Sequence, residues 1–390
     1  MNEWLWLLAL LPVAFASGWW LHRRQSQRSS GAAVSRLSTT YFRGLNYLLN
    51  EQPDKAIEVF LKIAEVDSET VETHFALGHL FRRRGEVDRA IRLHQNLVMR
   101  ENLSDEQRTQ AVLALGEDYM RAGLYDRAET LFSDLQKLES SAPQAMKHLI
   151  SIYQAEQDWE QAIRHAQAYE AATGEPMGRL IAHFHCEMAE RARCRGETGL
   201  ARDQLRQAFE VDANSVRAGM LEGRMEASAG NDLAAIRAFE RVARNDPDFL
   251  PELLPDLLAC YRRHADLGRA RNFLGEMIER HDGVSPVLAM TRLVQEQAGG
   301  EQALEYLAGQ LRQRPSVRGQ GALIDLSLEQ GAAAERDILL VLRQLTEKLL
   351  SGSPSYRCQR CGFGARAHHW HCPSCKNWGT VKPIHGTSGE

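Results

Sequence analysis

The sequence repeats itself over most of its length with a period close to that of one helix pair. The positions that mark the repeat are Ala56, Ala90, Ala128, Ala162, Ala201, Ala235, Ala270 and Ala303. Their separations are 34, 38, 34, 39, 34, 35 and 33 residues. This period is typical of tetratricopeptide repeats, in which one helix pair cannot bury its own apolar face, so neighbouring pairs must stack.

The copies of the repeat share an order of small and bulky residues. In the third copy, the small Gly116 is followed by Tyr119, the turn glycine Gly123, the anchor Ala128 and the bulky Phe132. Alanine is small where two helices cross closely, an aromatic ring fills the space opposite, and glycine at the turn tolerates a positive φ.

These repeats predict the fold class. We expect an all-α fold, a tetratricopeptide-repeat superhelix of about eight or nine helix pairs over residues 37–350. Residues 318–350 resemble a last helix pair, with Leu339 to Leu350 as its cap.

The first residues of the chain are typical of a membrane anchor. Trp4 to Leu21 is a run of eighteen residues without a charge, which as a helix would extend about 27 Å, close to the hydrocarbon thickness of a bilayer. Tryptophans lie at both ends of the run, where membrane interfaces favour them. We expect a transmembrane helix in residues 1–24 and a short tether in residues 25–36.

The charges around this run predict the topology. A cleaved signal peptide, the alternative, would carry Lys or Arg before the apolar run, but Glu3 stands there instead. The basic residues Arg23, Arg24 and Arg28 follow the run, and the positive-inside rule makes that side cytoplasmic. We therefore expect a single-pass membrane protein with the bulk of the chain facing the cytoplasm.

Four of the seven cysteines lie near the C-terminus as two C-x-x-C pairs separated by ten residues. The first pair is Cys358 and Cys361, and the second is Cys372 and Cys375. Four thiolates in a tetrahedral arrangement bind zinc or iron. Because a segment of about thirty residues cannot fold on a hydrophobic core alone, we expect metal binding to stabilise a small domain over residues 354–390.

The histidines near these pairs have a simpler interpretation than metal binding. Four cysteines complete a tetrahedral site, so we interpret His368, His369 and His371 as surface residues. We expect Phe363, Trp370 and Trp378 to pack around the site or against the last repeat.

Two further groups receive structural interpretations. We assign His183, His185, Cys186 and Cys194 to the packing of repeat helices rather than to a second metal site. We interpret the run of arginines at residues 82–84 as a solvated helix end. The sequence contains neither a phosphate-binding P-loop motif nor a nucleophile elbow, and we expect no catalytic residues and no enzyme.

Three features together resemble one known family. They are the run W-L-W-L-L-A-L-L-P-V-A-F-A-S-G-W-W, the repeat array, and the tail Y-R-C-Q-R-C-G-F…W-H-C-P-S-C-K-N-W…K-P-I. Over essentially its whole length, the chain resembles the lipopolysaccharide assembly protein B family of Gram-negative bacteria, and the tail is the most specific part. That tail is similar to the two metal loops of rubredoxin, which implies one iron ion, with zinc as the alternative. The implied ligands are Cys358, Cys361, Cys372 and Cys375.

The resemblance implies a function that residue spacing does not show. It implies an adaptor of the bacterial inner membrane that restrains lipopolysaccharide synthesis. The adaptor helps the membrane-bound AAA+ protease FtsH degrade LpxC, the deacetylase that commits precursor to lipid A. It also scaffolds other lipopolysaccharide synthesis or assembly proteins at the membrane, with no nucleic acid partner.

Other functions fit parts of the sequence. A rubredoxin-like site can carry one electron, so electron transfer is one alternative, and a membrane scaffold with a different client is another. A zinc ribbon with basic residues such as Arg357 and Arg360 can bind nucleic acid, but the net charge of −4 does not favour it.

The predicted topology is testable with a reporter enzyme that is active only in the periplasm. Fused after Glu390, it is expected to stay inactive, because the positive charges after the apolar run keep that side in the cytoplasm. A cytoplasm-active reporter fused at the same position is the matched control. An active periplasmic fusion would overturn the topology.

Overall fold

The computed structural model describes residues 40–47, 50, 52–66, 71–138, 142–331, 336–386 and 389. The chain divides into two compact units between Thr173 and Gly174. Within the described residues, none of the helices combines the length and apolar character needed to cross a bilayer. The predicted anchor, Trp4 to Leu21, lies outside the described residues.

The described part of the chain is almost entirely helical. Its helices are α1 (residues 40–47), α2 (Pro53–Val66), α3 (Val71–Arg84), α4 (Val87–Val98), α5 (Asp105–Ala122), α6 (Tyr125–Gln136), α7 (Ala142–Glu156), α8 (Trp159–Thr173), α9 (Gly178–Cys194), α10 (Thr198–Val211), α11 (Val216–Ser228), α12 (Asp232–Asn245), α13 (Leu250–Arg263), α14 (Leu267–Arg280), α15 (Ser285–Ala298), α16 (Gly300–Gln313), α17 (Val317–Glu329) and α18 (Arg336–Ser351). A single 3-10 turn, Pro247–Phe249, precedes α13. A small ribbon of three short strands follows α18.

The helices pack as the repeat predicts. From α3 onward, each odd-numbered helix packs against the next even-numbered one, and pairs stack on their neighbours within each unit. All eight predicted anchor alanines lie in even-numbered helices, α2 to α16, and each is 0% exposed. These findings confirm an all-α tetratricopeptide fold, with α17 and α18 as the predicted last pair.

The small residue of one helix and the bulky residue of the next form a single contact. A Cβ atom added to Gly116 would lie 2.5 Å from the Phe132 ring, and one added to Gly223 would lie 2.5 Å from the Phe239 ring. Both rings are 0% exposed. Each ring therefore fills the volume that a larger side chain would need, and glycine is required here for packing.

The second repeat replaces this phenylalanine with a histidine. His94 is 0% exposed, and its Nδ1 atom lies 2.5 Å from Oδ2 of Asp118. The Arg82 guanidinium donates to the same carboxylate at 2.7 Å. The interpretation of residues 82–84 as a solvated helix end is therefore wrong for Arg82, whose side chain is only 16% exposed, because a buried carboxylate requires a charged partner.

In the six helix pairs from α3/α4 to α13/α14, the turn has a left-handed residue five positions before the anchor alanine. Glycine occupies it in four repeats, at Gly85, Gly123, Gly196 and Gly230, with φ between 76° and 81°. Gln157 (φ 59°) and Ala265 (φ 56°) occupy it in two others. A residue with a Cβ atom pays a steric cost in this conformation, so these two turns are strained.

Ala265→Gly is expected to stabilise the protein by about 0.5–1 kcal/mol. Relief of the left-handed strain contributes about 1–2 kcal/mol, and the greater freedom of glycine in the unfolded chain offsets part of it. The midpoint of denaturant unfolding measures the change. Gly230→Ala, at the equivalent turn, is the control and should destabilise; a lower midpoint for Ala265→Gly would contradict the account.

Candidate metal centre and its contacts with the repeats

The tail folds as a three-stranded antiparallel ribbon. Strands β1 (Tyr356–Cys358), β2 (Gly364–Ala365) and β3 (Val381–Pro383) lie in the order β2-β1-β3. Its small core contains Tyr356, Ala365 and Val381 together with two cysteines. So few apolar residues cannot stabilise a domain alone, and the ribbon needs support from elsewhere.

The four tail cysteines converge on one point. All four Sγ atoms lie within 4.8 Å of one another. The separations are 3.7 Å between Cys358 and Cys375 and 3.8 Å between Cys361 and Cys372. Four sulfurs around an ion at about 2.3 Å would be about 3.8 Å apart, whereas a disulfide needs about 2 Å. The donors therefore fit one tetrahedral metal ion, and the arrangement is equally suited to zinc and iron.

The two C-x-x-C loops have the same local geometry. In each, the residue after the second cysteine is left-handed: Gly362 has φ 77° and Lys376 has φ 57°. The N–H of Gly362 donates to the Cys358 carbonyl at 2.9 Å, and the N–H of Lys376 donates to the Cys372 carbonyl at 3.0 Å. Each closed turn points its two thiols the same way, so the two loops face each other across the site.

The surroundings of the thiols separate their pKa values. Burial acts to raise the pKa of Cys358, but hydrogen bonds from the Thr380 hydroxyl and backbone N–H groups outweigh it and lower the pKa to about 6. At Cys372 burial dominates and raises the pKa to about 11. Because cysteine binds metal as thiolate, a metal ion bound here would require Cys372 to lose its proton, and acid would favour release of the ion.

Two tryptophans of the ribbon pack on repeat helices of the same unit. The Trp370 ring stacks on Phe249 in the 3-10 turn, with centroids 5.1 Å apart. The Trp378 ring lies between His183 of α9 at 5.1 Å and His371 at 4.5 Å. Burial, with Arg217 adding to it, lowers the pKa of His183 to about 3, so this imidazole stacks as a neutral ring.

Ion pairs and hydrogen bonds surround the aromatic contacts. Lys382 in β3 forms ion pairs with Asp246 and Asp248, and His385 contacts Asp248 at 3.1 Å. The Tyr356 hydroxyl donates to the Glu252 carboxylate at the start of α13. The Lys382 ammonium also lies 4.2 Å from the centre of the Phe249 ring. The ribbon is thus fixed to the repeats around Phe249.

Arg217 of α11 completes this contact surface. It is only 7% exposed, and its guanidinium lies 5.8 Å from the Trp370 ring and 5.6 Å from the Trp378 ring. Its ion pair with Glu187 of α9, at 2.9 Å, balances the charge. Cation–π contacts of this kind strengthen when they are desolvated, so Arg217 connects both tryptophans to the repeats.

The structure sorts the predicted residues around the site. Phe363 packs against the ribbon core, which is one of the two predicted positions. Trp370 contacts the 3-10 turn and Trp378 contacts α9, so neither ring packs against the last repeat. His369 is exposed as predicted. The surface interpretation is wrong for His368. Its ring centroid lies 4.5 Å from that of Trp370 and 5.3 Å from that of Phe249, because this side of the ribbon packs against the 3-10 turn.

The packing prediction holds for Cys186 and His185, which are buried in α9, but it is wrong for Cys194, which is exposed at the end of α9. Cys186 is 0% exposed, and Nδ1 of His185 donates a hydrogen bond to Oε1 of Gln204 at 2.8 Å. Among the described residues, the tail cysteines form the one group able to hold a metal ion. Sequence reasoning missed Phe249, Arg217 and Glu252 altogether; the one signal was the sequence Asp-Pro-Asp-Phe at residues 246–249, which interrupts the repeat with a short turn.

Comparisons with known proteins agree with this architecture. Residues 356–383 match a family model described as a rubredoxin metal binding domain. Tetratricopeptide repeat models match residues 73–107, 113–176 and 186–248.

Two relatives match the chain over nearly its whole length. Lipopolysaccharide assembly protein B of Escherichia coli strain K12 is 39% identical over 386 residues, which cover 98% of this chain and 99% of that protein. The protein of the same name from Haemophilus influenzae is 33% identical over 394 residues, covering 97% of this chain and 98% of that one. A solved structure of Pseudomonas aeruginosa pilF aligns with 54% of this chain at 16% identity and a TM-score of 0.34.

Replacing one ligand is expected to empty the metal centre. Cys358→Ser should reduce bound metal from about one ion per chain to nearly none, because the remaining three thiolates no longer complete a closed tetrahedral site. Elemental analysis of the purified chain measures this. Cys194→Ser, at an exposed cysteine of α9, is the control and should keep the metal, and full retention in Cys358→Ser would exclude the assignment.

The contact between ribbon and repeats predicts the effect of losing one ring. Trp370→Ala should destabilise the packed ribbon by about 2–3 kcal/mol, since the stacked contact with Phe249 is lost. Hydrogen exchange of residues 247–263 should accelerate. His369→Ala, one residue away and exposed, is the control; unchanged exchange in Trp370→Ala would show that the stack does not hold the ribbon.

Proposed function

Because this chain belongs to the lipopolysaccharide assembly protein B family, we propose that it is an adaptor of the bacterial inner membrane that limits lipid A synthesis. In this proposal it promotes degradation of the LpxC deacetylase by the protease FtsH, and it scaffolds other lipopolysaccharide assembly proteins. It acts by binding proteins and is not itself an enzyme. The match over 98% of the chain, ribbon included, is the observation on which the proposal rests.

The exposed surface of the repeats supports a protein-binding role. Charged residues on odd-numbered helices pair at the spacing of the repeat, as in Arg224 with Asp256 at 2.8 Å and Arg262 with Glu296 at 2.6 Å. These pairs are partly exposed and each contributes little to stability. They can therefore exchange partners with a bound protein at small cost, which suits a surface that holds a client.

The ribbon supports the same role as a rigid part of the repeat surface. It is fixed by stacked rings and by the ion pairs of Lys382. A fixed ribbon keeps a constant position relative to α9 and α13, so a partner can contact repeats and ribbon together. We propose that the metal, iron in preference to zinc, is held by Cys358, Cys361, Cys372 and Cys375 and stabilises the ribbon in this position.

The proposal assigns a part of the mechanism to each segment. Residues 1–24 anchor the chain, residues 25–36 tether it, residues 37–350 hold the client, and residues 354–390 form the metal domain. Protease and adaptor on one membrane have a raised effective concentration for each other, which increases binding without a new contact. The short tether keeps the repeats within reach of that membrane.

Electron transfer is the second candidate, and one observation favours it. Cys361 is exposed, so a redox-active ion would have a thiolate in contact with solvent. Zinc in place of iron separates the two functions, because zinc has no redox chemistry. An adaptor keeps its activity with zinc, whereas an electron carrier loses it.

The half-life of LpxC after protein synthesis is blocked tests the adaptor function. Trp370→Ala should lengthen it, because the ribbon loses its fixed position, and His369→Ala should leave it unchanged. Deletion of residues 1–24 should also lengthen it, since the effective concentration falls. Point variants are preferable to deletion of the ribbon, which would expose Phe249.

The abundance and helicity of each variant serve as controls for folding. Both lengthened half-lives with normally folded protein are the expected result. Unchanged LpxC half-lives in Trp370→Ala and in the deletion would exclude the adaptor function and leave the repeats with a different client.

A further inference from the structure

The last helix of the array, α18, leaves most of its apolar side chains in solvent. Six large aliphatic residues are exposed, by 37% to 66%: Ile338, Leu340, Val341, Leu342, Leu345 and Leu349. Only Thr346 of this helix is buried. Among the described residues, the other helices each expose at most two such side chains.

Five of these residues form one continuous face. Ile338, Val341, Leu342, Leu345 and Leu349 follow helical spacing, so they line one side of α18 over three turns, about 16 Å. Helix α17 packs on a different side, where Thr346 is buried. The face therefore remains open after the chain has folded its last pair.

Repeat arrays normally end in a helix with a polar outer surface, because an apolar end would associate. In interior pairs the following pair covers the equivalent surface: α16 is covered by α17. Helix α18 carries the apolar surface of an interior helix without a following pair. Exposed faces of this kind mark association sites, and what occupies this one is indicated by its charges.

Two charges flank the apolar face in a self-complementary way. Asp337 directly precedes Ile338 and Lys348 directly precedes Leu349. Eleven residues make almost three full turns, so the two charges lie on the same flank at opposite ends of the face. Neither forms an ion pair within the described residues.

Antiparallel pairing with an identical helix satisfies both charges at once. Consider two copies of α18 that pack apolar face to apolar face in an antiparallel pair with two-fold symmetry. The charged flank of one helix then lies beside the charged flank of the other, and the two run in opposite directions. Asp337 of one helix then lies beside Lys348 of the other, twice. In a parallel pair, opposite flanks meet and these charges stay apart. The charges thus favour a second copy of this helix and select its direction.

We propose that α18 forms an antiparallel contact with α18 of a second copy of this chain. Ile338 lies opposite Leu349 of the partner, and Leu342 lies opposite Leu345. One helix pair buries less than a standard protein interface, so the contact is weak in dilute solution. Attachment of both copies to one membrane strengthens it. The contact does not depend on the identity of the client or protease.

Cysteine crosslinking of the full-length chain in membranes tests the pairing and its direction. Two differently tagged copies, one Ile338→Cys and the other Leu349→Cys, are co-expressed and treated with a short bismaleimide. The mixed dimer should crosslink. Ile338→Cys alone should not, because its two copies lie about 16 Å apart along the helix. The chain with only native cysteines gives the background.

Substitutions in the apolar face and in its flanking charges give a second test of the pairing. Leu345→Glu, in the crosslinking background, should reduce the yield at least about tenfold, because a carboxylate would be buried in an apolar contact. Leu200→Glu, at a leucine of α10 that is 49% exposed, is the matched control and should have no effect. Asp337→Lys should reduce the yield by about threefold, and adding Lys348→Asp should restore it.

Each crosslinking result either supports or overturns the antiparallel pairing. A mixed crosslink that Leu345→Glu removes and the double charge exchange restores supports it. A crosslink of Ile338→Cys with itself would mean a parallel pair and overturn it. Absence of all crosslinks above background would also overturn it and assign the face to the membrane surface or to another protein.

Discussion

The close crossing of two helices at each anchor alanine is the constraint on which the rest of this structure depends. Each anchor alanine has no side-chain atom beyond Cβ, so the two helices of a pair can approach closely. The contact buries every anchor completely, at 0% exposure. The approach leaves a defined gap one turn further along, and a ring such as Phe132 fills it against a glycine of the partner helix. Packing of this kind has little tolerance for volume changes, so the alternation of glycine, alanine and ring recurs along the chain. The buried His94 shows that a polar ring is accepted only with Asp118 and Arg82 as partners.

The repeats could be predicted from the sequence because each pair contacts only its neighbours, so the packing leaves a period in the chain. The convergence of the tail cysteines could be predicted for a similar reason, since each C-x-x-C loop is local and both are close in sequence. Metal binding by the four thiols and the transmembrane anchor stay predictions. The contacts between ribbon and repeats could not be predicted. Tyr356 meets Glu252 and Lys382 meets Asp246 across more than a hundred residues, and contacts this distant leave no period and no motif.

Contacts with the repeats stabilise the ribbon, and a bound metal ion would add a second source of stability that is coupled to the first. Its own core is small, so the metal ion would hold the two cysteine loops together while Phe249, His183 and Arg217 hold the outside. Trp370 and Trp378 lie within three residues of Cys372 and Cys375 in the sequence. The positions of both rings therefore follow the conformation of the second cysteine loop. Loss of the ion would therefore disturb the aromatic contacts, and loss of those contacts would weaken retention of the ion, because both depend on one short segment.

The position of the ribbon also changes how mechanical force travels through the chain. In a simple stack of repeats, tension on the last residues would peel helices off one after another from the end. Here residues 356–385 contact α9, the 3-10 turn and α13, and so bypass the five helices, α14 to α18, that lie between α13 and the ribbon in the sequence. A pull on the C-terminus is first resisted by stacked rings and ion pairs in shear, which must all fail together, while α14 to α18 carry no tension. The first event at this end is therefore rupture of the contacts between the ribbon and α9, the 3-10 turn and α13, and α14 to α18 stay protected until those contacts break.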